Sequence, residues 1–284
     1  MNNNPDWHWL ANQAQDDQSR QWLIKIRQWR QPVLKSNEFI KGERLFALNL
    51  QGGQLWFRED SAFSAIEVYL EIFKENNHFL APGFSGKKAK VVVDIGANQG
   101  FYSLKIANNN PQCHLFCVEP NPYLFEILKR NVQTNHLKKA VLINKAIGQH
   151  QGKIELEIVK EIGAIGGKDL GIVNRPWLKK DFIKKITVKA ITLAELCREN
   201  NLQAIDILKI DTEGMEMDIL QGGRRVLPKV RKIVVEYHRP DLKNEIISFL
   251  KKQHFRLVFQ EAAKSKYYAD LYFINGKTVP NGNE

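Results

Sequence analysis

Cysteine is scarce. The 284 residues carry three, Cys113, Cys117 and Cys197. Cys113 and Cys117 flank an apolar run, and no second pair of ligands answers them, so neither a zinc site nor a disulfide framework is indicated. They are expected to be reduced core thiols, as in a cytosolic protein. No apolar run approaches the ~20 residues of a membrane span. The opening Met1-Asn-Asn-Asn-Pro-Asp6 has no basic region followed by an apolar one. A secretory signal is therefore not expected, and the expected location is cytoplasmic. No G-x-G-x-x-G follows a strand-like run, which weighs against a dinucleotide site. Internal repeats and low-complexity tracts are also missing, as are RNA-reading aromatic motifs and zinc fingers.

Net charge is the compositional feature that stands out, at +11. Basic residues gather over 175–189 (Arg175, Lys179, Lys180, Lys184, Lys185, Lys189) and 224–232 (Arg224, Arg225, Lys229, Arg231, Lys232). Such clusters suit an anionic substrate, nucleic acid or a membrane surface, but they also suit an ordinary solvated face. Without a nucleic-acid motif beside them, no nucleic-acid partner is expected.

The chain is organised around Lys90-Val-Val-Val-Asp94-Ile-Gly96-Ala-Asn98-Gln-Gly100-Phe101, which continues to Ala107. Val91 to Val93 suit a strand buried on both faces. Gly96, Asn98 and Gly100 tolerate the left-handed backbone of a tight turn. From Phe101 the apolar spacing is helical. A strand, a glycine turn and a helix open a nucleotide-binding βαβ unit. The spacing is G-x-x-x-G, and a carboxylate, Asp94, sits where phosphates would lie. S-adenosyl-L-methionine carries sulfonium and ammonium cations and no phosphate, so that acid favours it over NAD. Asp94 also has a simpler use as a helix cap.

Upstream, residues 1–84 read as an extension of helix, β-hairpin and helix that packs on a core domain of residues 85–284. Trp22, Ile26 and Trp29 form one apolar stripe of a helix over 17–30 that Pro32 ends. Runs at 44–50 and 55–58 flank Gly52-Gly53 as a hairpin. Asp60 or Ser61 caps the next helix.

Downstream, βα alternation is regular. The strand His114–Glu119 ends in Glu119-Pro-Asn121-Pro122. Asn121 suits an N-cap and Pro122 the first helical position, so a helix over 123–135 follows. Glu119 lies 19 positions after Gly100, near the ~20-residue offset of an acid that bonds ribose hydroxyls. Asn121 is grouped with it on the cofactor side. Ala146, after a strand over 140–145, is a candidate adenine wall or a plain turn. The glycine-rich stretch 163–171, between strands at 153–159 and 185–190, is expected to be a mobile loop beside the site. Thr192 opens a helix to Arg198. The strand Ile205–Ile210 ends in Asp211-Thr-Glu213-Gly214, and a strand from Lys232 ends at His238. A helix over 241–252 and two antiparallel edge strands close the chain.

Val93-Asp-Ile-Gly-Ala-Asn-Gln-Gly100, Val118-Glu-Pro-Asn-Pro122 with Asn131, Ala146-Ile-Gly148 and Leu208-Lys-Ile-Asp-Thr-Glu-Gly-Met-Glu216 together resemble the FkbM-type methyltransferases. Leu220-Gln-Gly-Gly223 and Val235-Glu-Tyr-His238 fit as well. The resemblance implies a class I fold that uses S-adenosyl-L-methionine: a seven-stranded Rossmann-like sheet with helices on both faces and an antiparallel edge strand. It also implies O-methylation of a hydroxyl, less so a carboxylate, on a sugar, secondary metabolite or peptide natural product. Asp94, Gly96, Asn98 and Gly100 would lie at the methionine end of the cofactor and Glu119 on its ribose. The family's Thr-Leu-Asp before the middle helix reads Thr192-Leu-Ala194 here.

Strand ends bind ligands in open α/β sheets. His238 is the expected general base, because imidazole titrates near neutrality. Asp211 would orient the acceptor or His238 and also border the cofactor, and Glu213 would hold the cofactor ammonium or the substrate. A divalent metal on Asp211, Glu213 and Glu236 is the competing account, since hard cations prefer carboxylates. His238 as a purely structural residue is another. An N-methyltransferase for DNA or protein amines would carry Asn/Asp-Pro-Pro-aromatic after the Ile205–Ile210 strand, where this chain has Asp211-Thr-Glu-Gly. A non-catalytic basic binding module is the remaining alternative.

Overall fold

The computed structural model describes residues 6–36, 44–159, 165–166, 183–262 and 268–277. Its centre is a seven-stranded sheet of β3 (Val91–Ile95), β4 (His114–Val118), β5 (Ala140–Ile143), β10 (Ile205–Ile210), β11 (Val230–Tyr237), β12 (Phe255–Gln260) and β13 (Ala269–Asn275). The spatial order is β12-β13-β11-β10-β3-β4-β5. β5, β4, β3, β10 and β11 are mutually parallel. The antiparallel hairpin expected at the edge is present, but β13, one place in from the outermost β12, is the strand that runs against the sheet. This is the seven-stranded sheet with an antiparallel strand expected from the resemblance. The chain leaves β3 for β4 on one side and later returns to β10 on the other. That switch point opens a crevice at the carboxyl ends of β3 and β10.

Alternation along the strands divides the core in two. On one face Val93, Ile95, Leu208, Ile210 and Val235 pack under α6 (Leu193–Glu199), α7 (Glu216–Gly222) and α8 (Pro240–Lys252). On the other, Val92, Leu115, Ile207, Val234 and Tyr272 pack under α4 (Phe101–Asn109) and α5 (Pro122–Thr134). α1 (Trp7–Gln13), α2 (Asp17–Ser36), the hairpin β1 (Leu45–Leu50) to β2 (Gly53–Arg58), and α3 (Ala62–Phe73) extend that second core. Trp22 stacks on Phe46 at 4.1 Å between ring centres. The hairpin is laced to α5: Asn131 Oδ1 accepts from Trp56 N at 2.6 Å, and Asn135 Oδ1 from Gln54 N at 3.0 Å.

Several local expectations hold in detail. Asn121 Oδ1 caps α5 by accepting from Tyr123 N, with Pro122 at its start. Thr192 Oγ1 caps α6 through Glu195 N. All three cysteines are buried and unpaired, and burial pushes their thiols up to about 11, about 12 and about 11 in chain order. Others differ. α2 runs through Pro32 to Ser36, because a proline removes one ladder bond without having to end the helix. The Trp29 side chain and the loop at 163–164 and 167–171 fall outside the described residues. A short 3₁₀ turn, Glu59–Ser61, precedes α3, and no side chain caps that helix. β5 stops at Ile143. Ala146 stands in β6 (Ala146–Ile147), which belongs to a second sheet ordered β6-β9-β7-β8, with β7 at Gly152–Val159, β8 at Ile165–Gly166 and β9 at Ile183–Ile191. Among the described residues no helix is long and apolar enough to cross a membrane.

Candidate active site

The glycine turn is built by close packing. Gly96 has φ 80°, and a Cβ there would lie 1.8 Å from the Asp211 carbonyl oxygen, so only glycine lets the turn after β3 pass this close to the backbone after β10. Gly100 (φ 89°) would meet Leu128 of α5, and Asn98 takes φ 52° between them. Glu119, at the end of β4, closes the turn. Its Oε2 accepts from Asn98 N at 2.9 Å and its Oε1 from Asn121 N at 2.8 Å. Burial pushes the Glu119 carboxyl up to about 7, although the two amides and Lys209 pull it down. Each oxygen keeps a second lone pair for a ligand hydroxyl.

Asp94 is wholly buried beneath the turn, not open to the crevice. It accepts from Ser103 Oγ at 2.7 Å and lies 3.2 Å from Lys209 Nζ. Asn121 spends its side chain on the helix cap, and Ala146 is buried against Ala190 in the second sheet. Lys209, to which the sequence reading gave no role, is the hub. Its Nζ donates to Gly96 O at 2.9 Å and lies 3.2 Å from both Asp94 Oδ1 and Asp211 Oδ2. Burial alone would depress this ammonium, but the Asp211 and Asp94 carboxylates outweigh it and hold it above the usual range. A lone lysine beside the apolar residues of β10 was the signal that could have found it.

The second half of the site surrounds His238. Its Nδ1 lies 3.0 Å from Glu216 Oε1, which also accepts from Gly214 N at 2.7 Å. That contact aims Nε2 at Asp211 Oδ1 (3.6 Å), Glu213 Oε2 (3.7 Å) and Glu236 Oε2 (3.9 Å). Burial would lower the imidazole, but Glu213, Glu216 and Glu236 together hold it well above its ordinary value. Burial and the neighbouring Asp211 push Glu236 upward. Burial also opposes ionisation of Asp211, yet Lys209 and the two histidines His78 and His238 hold it well below the carboxylate range. Asp211 is thus favoured as the anion, while His238 and Glu236 both have raised proton affinity.

His78, from the segment after α3, also enters this site. Its Nε2 is 3.6 Å from Asp211 Oδ2, and its Nδ1 is 2.8 Å from Asp270 of β13. Asp270, which interrupts an apolar strand, offered a sequence signal; His78 offered none. Asp211, Glu236 and His238 place one donor atom each within 4.8 Å of one another, as do His78, Glu236 and Asp270. Such sets have the right chemistry for an oxygen-preferring cation. Lys209 and the histidines already supply countercharge there.

The chain is similar to several known proteins. The 2-O-methyltransferase NoeI of Sinorhizobium fredii is 30% identical over 165 residues, which cover 55% of this chain and 66% of NoeI. The 31-O-demethyl-FK506 methyltransferase FkbM of Streptomyces tacrolimicus is 24% identical over 221 residues, 68% of this chain and 83% of that protein. The crystal structure of an FkbM methyltransferase from Methylobacillus flagellatus shares 18% identity, covers 95% of this chain and 58% of its own, and has a TM-score of 0.48. The Methyltransferase FkbM domain matches residues 94–257, more than half of the chain, and the chain belongs to that methyltransferase family.

Proposed function

We propose that the protein is an S-adenosyl-L-methionine-dependent O-methyltransferase that acts on a hydroxyl group of a small sugar, secondary metabolite or peptide acceptor. The observation that carries this reading is that the glycine turn and Glu119, after β3 and β4, and Asp211 and His238, after β10 and β11, all stand at the carboxyl ends of four neighbouring parallel strands. The residues fit the cofactor: the turn has no Cβ at Gly96 or Gly100, and Glu119 offers buried acceptor oxygens suited to ribose hydroxyls. When bound, the cofactor supplies a methyl group on positively charged sulfur.

The protein's own task is alignment and proton handling. Asp211 Oδ1, with the opposite oxygen fixed by Lys209, orients the acceptor hydroxyl or the His238 ring. The surrounding acids raise the proton affinity of His238, so it becomes a base only after its proton leaves to solvent, with Glu236, itself raised in proton affinity, 3.9 Å away. Nε2 then accepts the hydroxyl proton. Glu213, about two-fifths exposed, faces the acceptor side. The extension of residues 1–84 walls the acceptor site. The two named relatives both methylate oxygen, which favours O- over N-transfer.

The test is incubation with labelled cofactor and a panel of methyl glycosides, a glucuronide and polyketide alcohols. The expected result is an acceptor that gains the mass of one methylene with stoichiometric demethylated cofactor. Methylation of amines alone would overturn the reading.

A further inference from the structure

The path of the chain after α3 gives the extension a more specific job than covering the crevice. Asn76 and His78 both adopt left-handed backbone, at φ 62° and 66°. Outside glycine such conformations carry some strain and persist where the surroundings hold them. Here the surroundings are the last sheet strand. His78 N donates to Asp270 Oδ2 at 2.8 Å, and Leu80 N donates to the Tyr272 hydroxyl at 3.3 Å. That hydroxyl donates in turn to Asp270 Oδ2 at 2.9 Å. Phe79 stacks on Tyr102 at 4.8 Å, and His78 meets the same ring edge-on. The turn is therefore docked through backbone and side chain together, and His78 is 5% exposed.

The imidazole of that docked residue spans two acids. Nδ1 lies 2.8 Å from Asp270 Oδ1, and Nε2 lies 3.6 Å from Asp211 Oδ2. Asp211 Oδ2 is also the oxygen 3.2 Å from Lys209, while Oδ1 faces His238. One oxygen of Asp211 thus faces both Lys209 and the His78 ring, and the other faces His238. His78 and Asp270 both fall outside the residues 94–257 that match the family domain.

We propose that His78, clamped by Asp270, is a positioning residue for methyl transfer: it bridges β13 to Asp211 and fixes the orientation of that carboxylate. The chemistry requires two N–H groups. Asp270 is an acceptor at Nδ1, and a lone pair on Nε2 facing the Asp211 anion would be repelled. The groups facing the ring are Asp270, Asp211, Glu236, Lys209 and Tyr102.

The kinetic part of the test rests on the O-methyltransferase reading, and the spectroscopic part does not. In full-length protein, an asparagine amide mimics Nδ1 and keeps the Asp270 contact, whereas a glutamine amide reaches the Nε2 position. His78→Asn should retain calorimetric affinity for S-adenosylhomocysteine and lose roughly 10–100-fold in kcat on the methyl glycoside that the wild type methylates. His78→Gln should recover part of that loss. Turnover of His78→Asn at the wild-type level overturns the proposal, as does equal loss in both variants with equal loss of cofactor-product affinity. Nitrogen NMR of the ligand-free wild type should show protons on both His78 ring nitrogens, and Asp211→Asn should shift the Nε2 signal alone. An Nε2 signal indifferent to Asp211→Asn also overturns it. If the wild type methylates nothing, the function proposed above fails and the NMR comparison decides the bridge by itself.

Discussion

Glu119 and Asp211 are two carboxylates at the ends of nearby parallel strands, on one crevice, with opposite electrostatics. Glu119 faces backbone amides from Asn98 and Asn121, and among the described residues no ion pair reaches it, so burial outweighs the pull of Lys209 and its carboxyl rises to about 7. Asp211 is also buried, but Lys209 lies 3.2 Å away and two histidines lie at 3.6 Å, so its charge is kept. The difference shows how one residue type is fitted to two tasks. An acid that meets neutral hydroxyls needs acceptor oxygens and tolerates a raised proton affinity. An acid that must orient a reacting group is held as an anion by fixed countercharges.

Removing the chemistry from the Asp211 end should have the largest effect. His238→Ala is expected to lose roughly 10²–10⁴ in turnover while S-adenosylhomocysteine affinity stays near wild type, as steady-state assay and calorimetry would check. Turnover within a factor of about two of wild type would remove His238 as the base. Lys209→Met strips the countercharge from both Asp94 and Asp211. It should cost about 3–5 kcal/mol of unfolding free energy in urea titration, because two buried acids lose their partner. Wild-type stability would mean that Asp211 does not depend on Lys209. At the other end, Glu119→Ala should weaken S-adenosylhomocysteine by about 1.5–3 kcal/mol, since its ligand bonds are charge-assisted.

The smallest expected effect is a pH dependence that belongs to Glu119. A carboxyl raised to about 7 in the folded protein binds its proton through the range between the ordinary carboxylate value and 7. Stability contributed by that proton is lost as pH rises through this window, whereas the ionised acceptor form that binds ribose is gained. Cofactor-product affinity should therefore increase from about pH 6 to about pH 8, and Glu119→Ala should flatten that slope. A slope that survives in the variant would assign the titration elsewhere.

Much of this arrangement was legible in the sequence because its parts are local. The strand, the glycine turn, the Asn121-Pro122 cap, and the acids at the ends of β4 and β10 are each written in a few consecutive residues. Contacts that depend on long-range closure were not legible. His78 and Asp270 are 192 positions apart and meet because the extension and the last strand flank the same crevice. Asp94 read as a ligand-facing acid, yet the sheet buries it under the turn against Ser103 and Lys209. Ala146 read as a loop residue beside the cofactor, but an additional sheet takes it up. The expectation that His238 is near neutrality rested on the free imidazole; four surrounding carboxylates change that only once the chain is folded.

Calorimetric titration of S-adenosylhomocysteine into wild type, Glu119→Ala and His238→Ala tests the division of labour most directly. The expected result is one binding event in the wild type, unchanged in His238→Ala and weakened in Glu119→Ala. No binding to the wild type, or equal weakening in both variants, would contradict it.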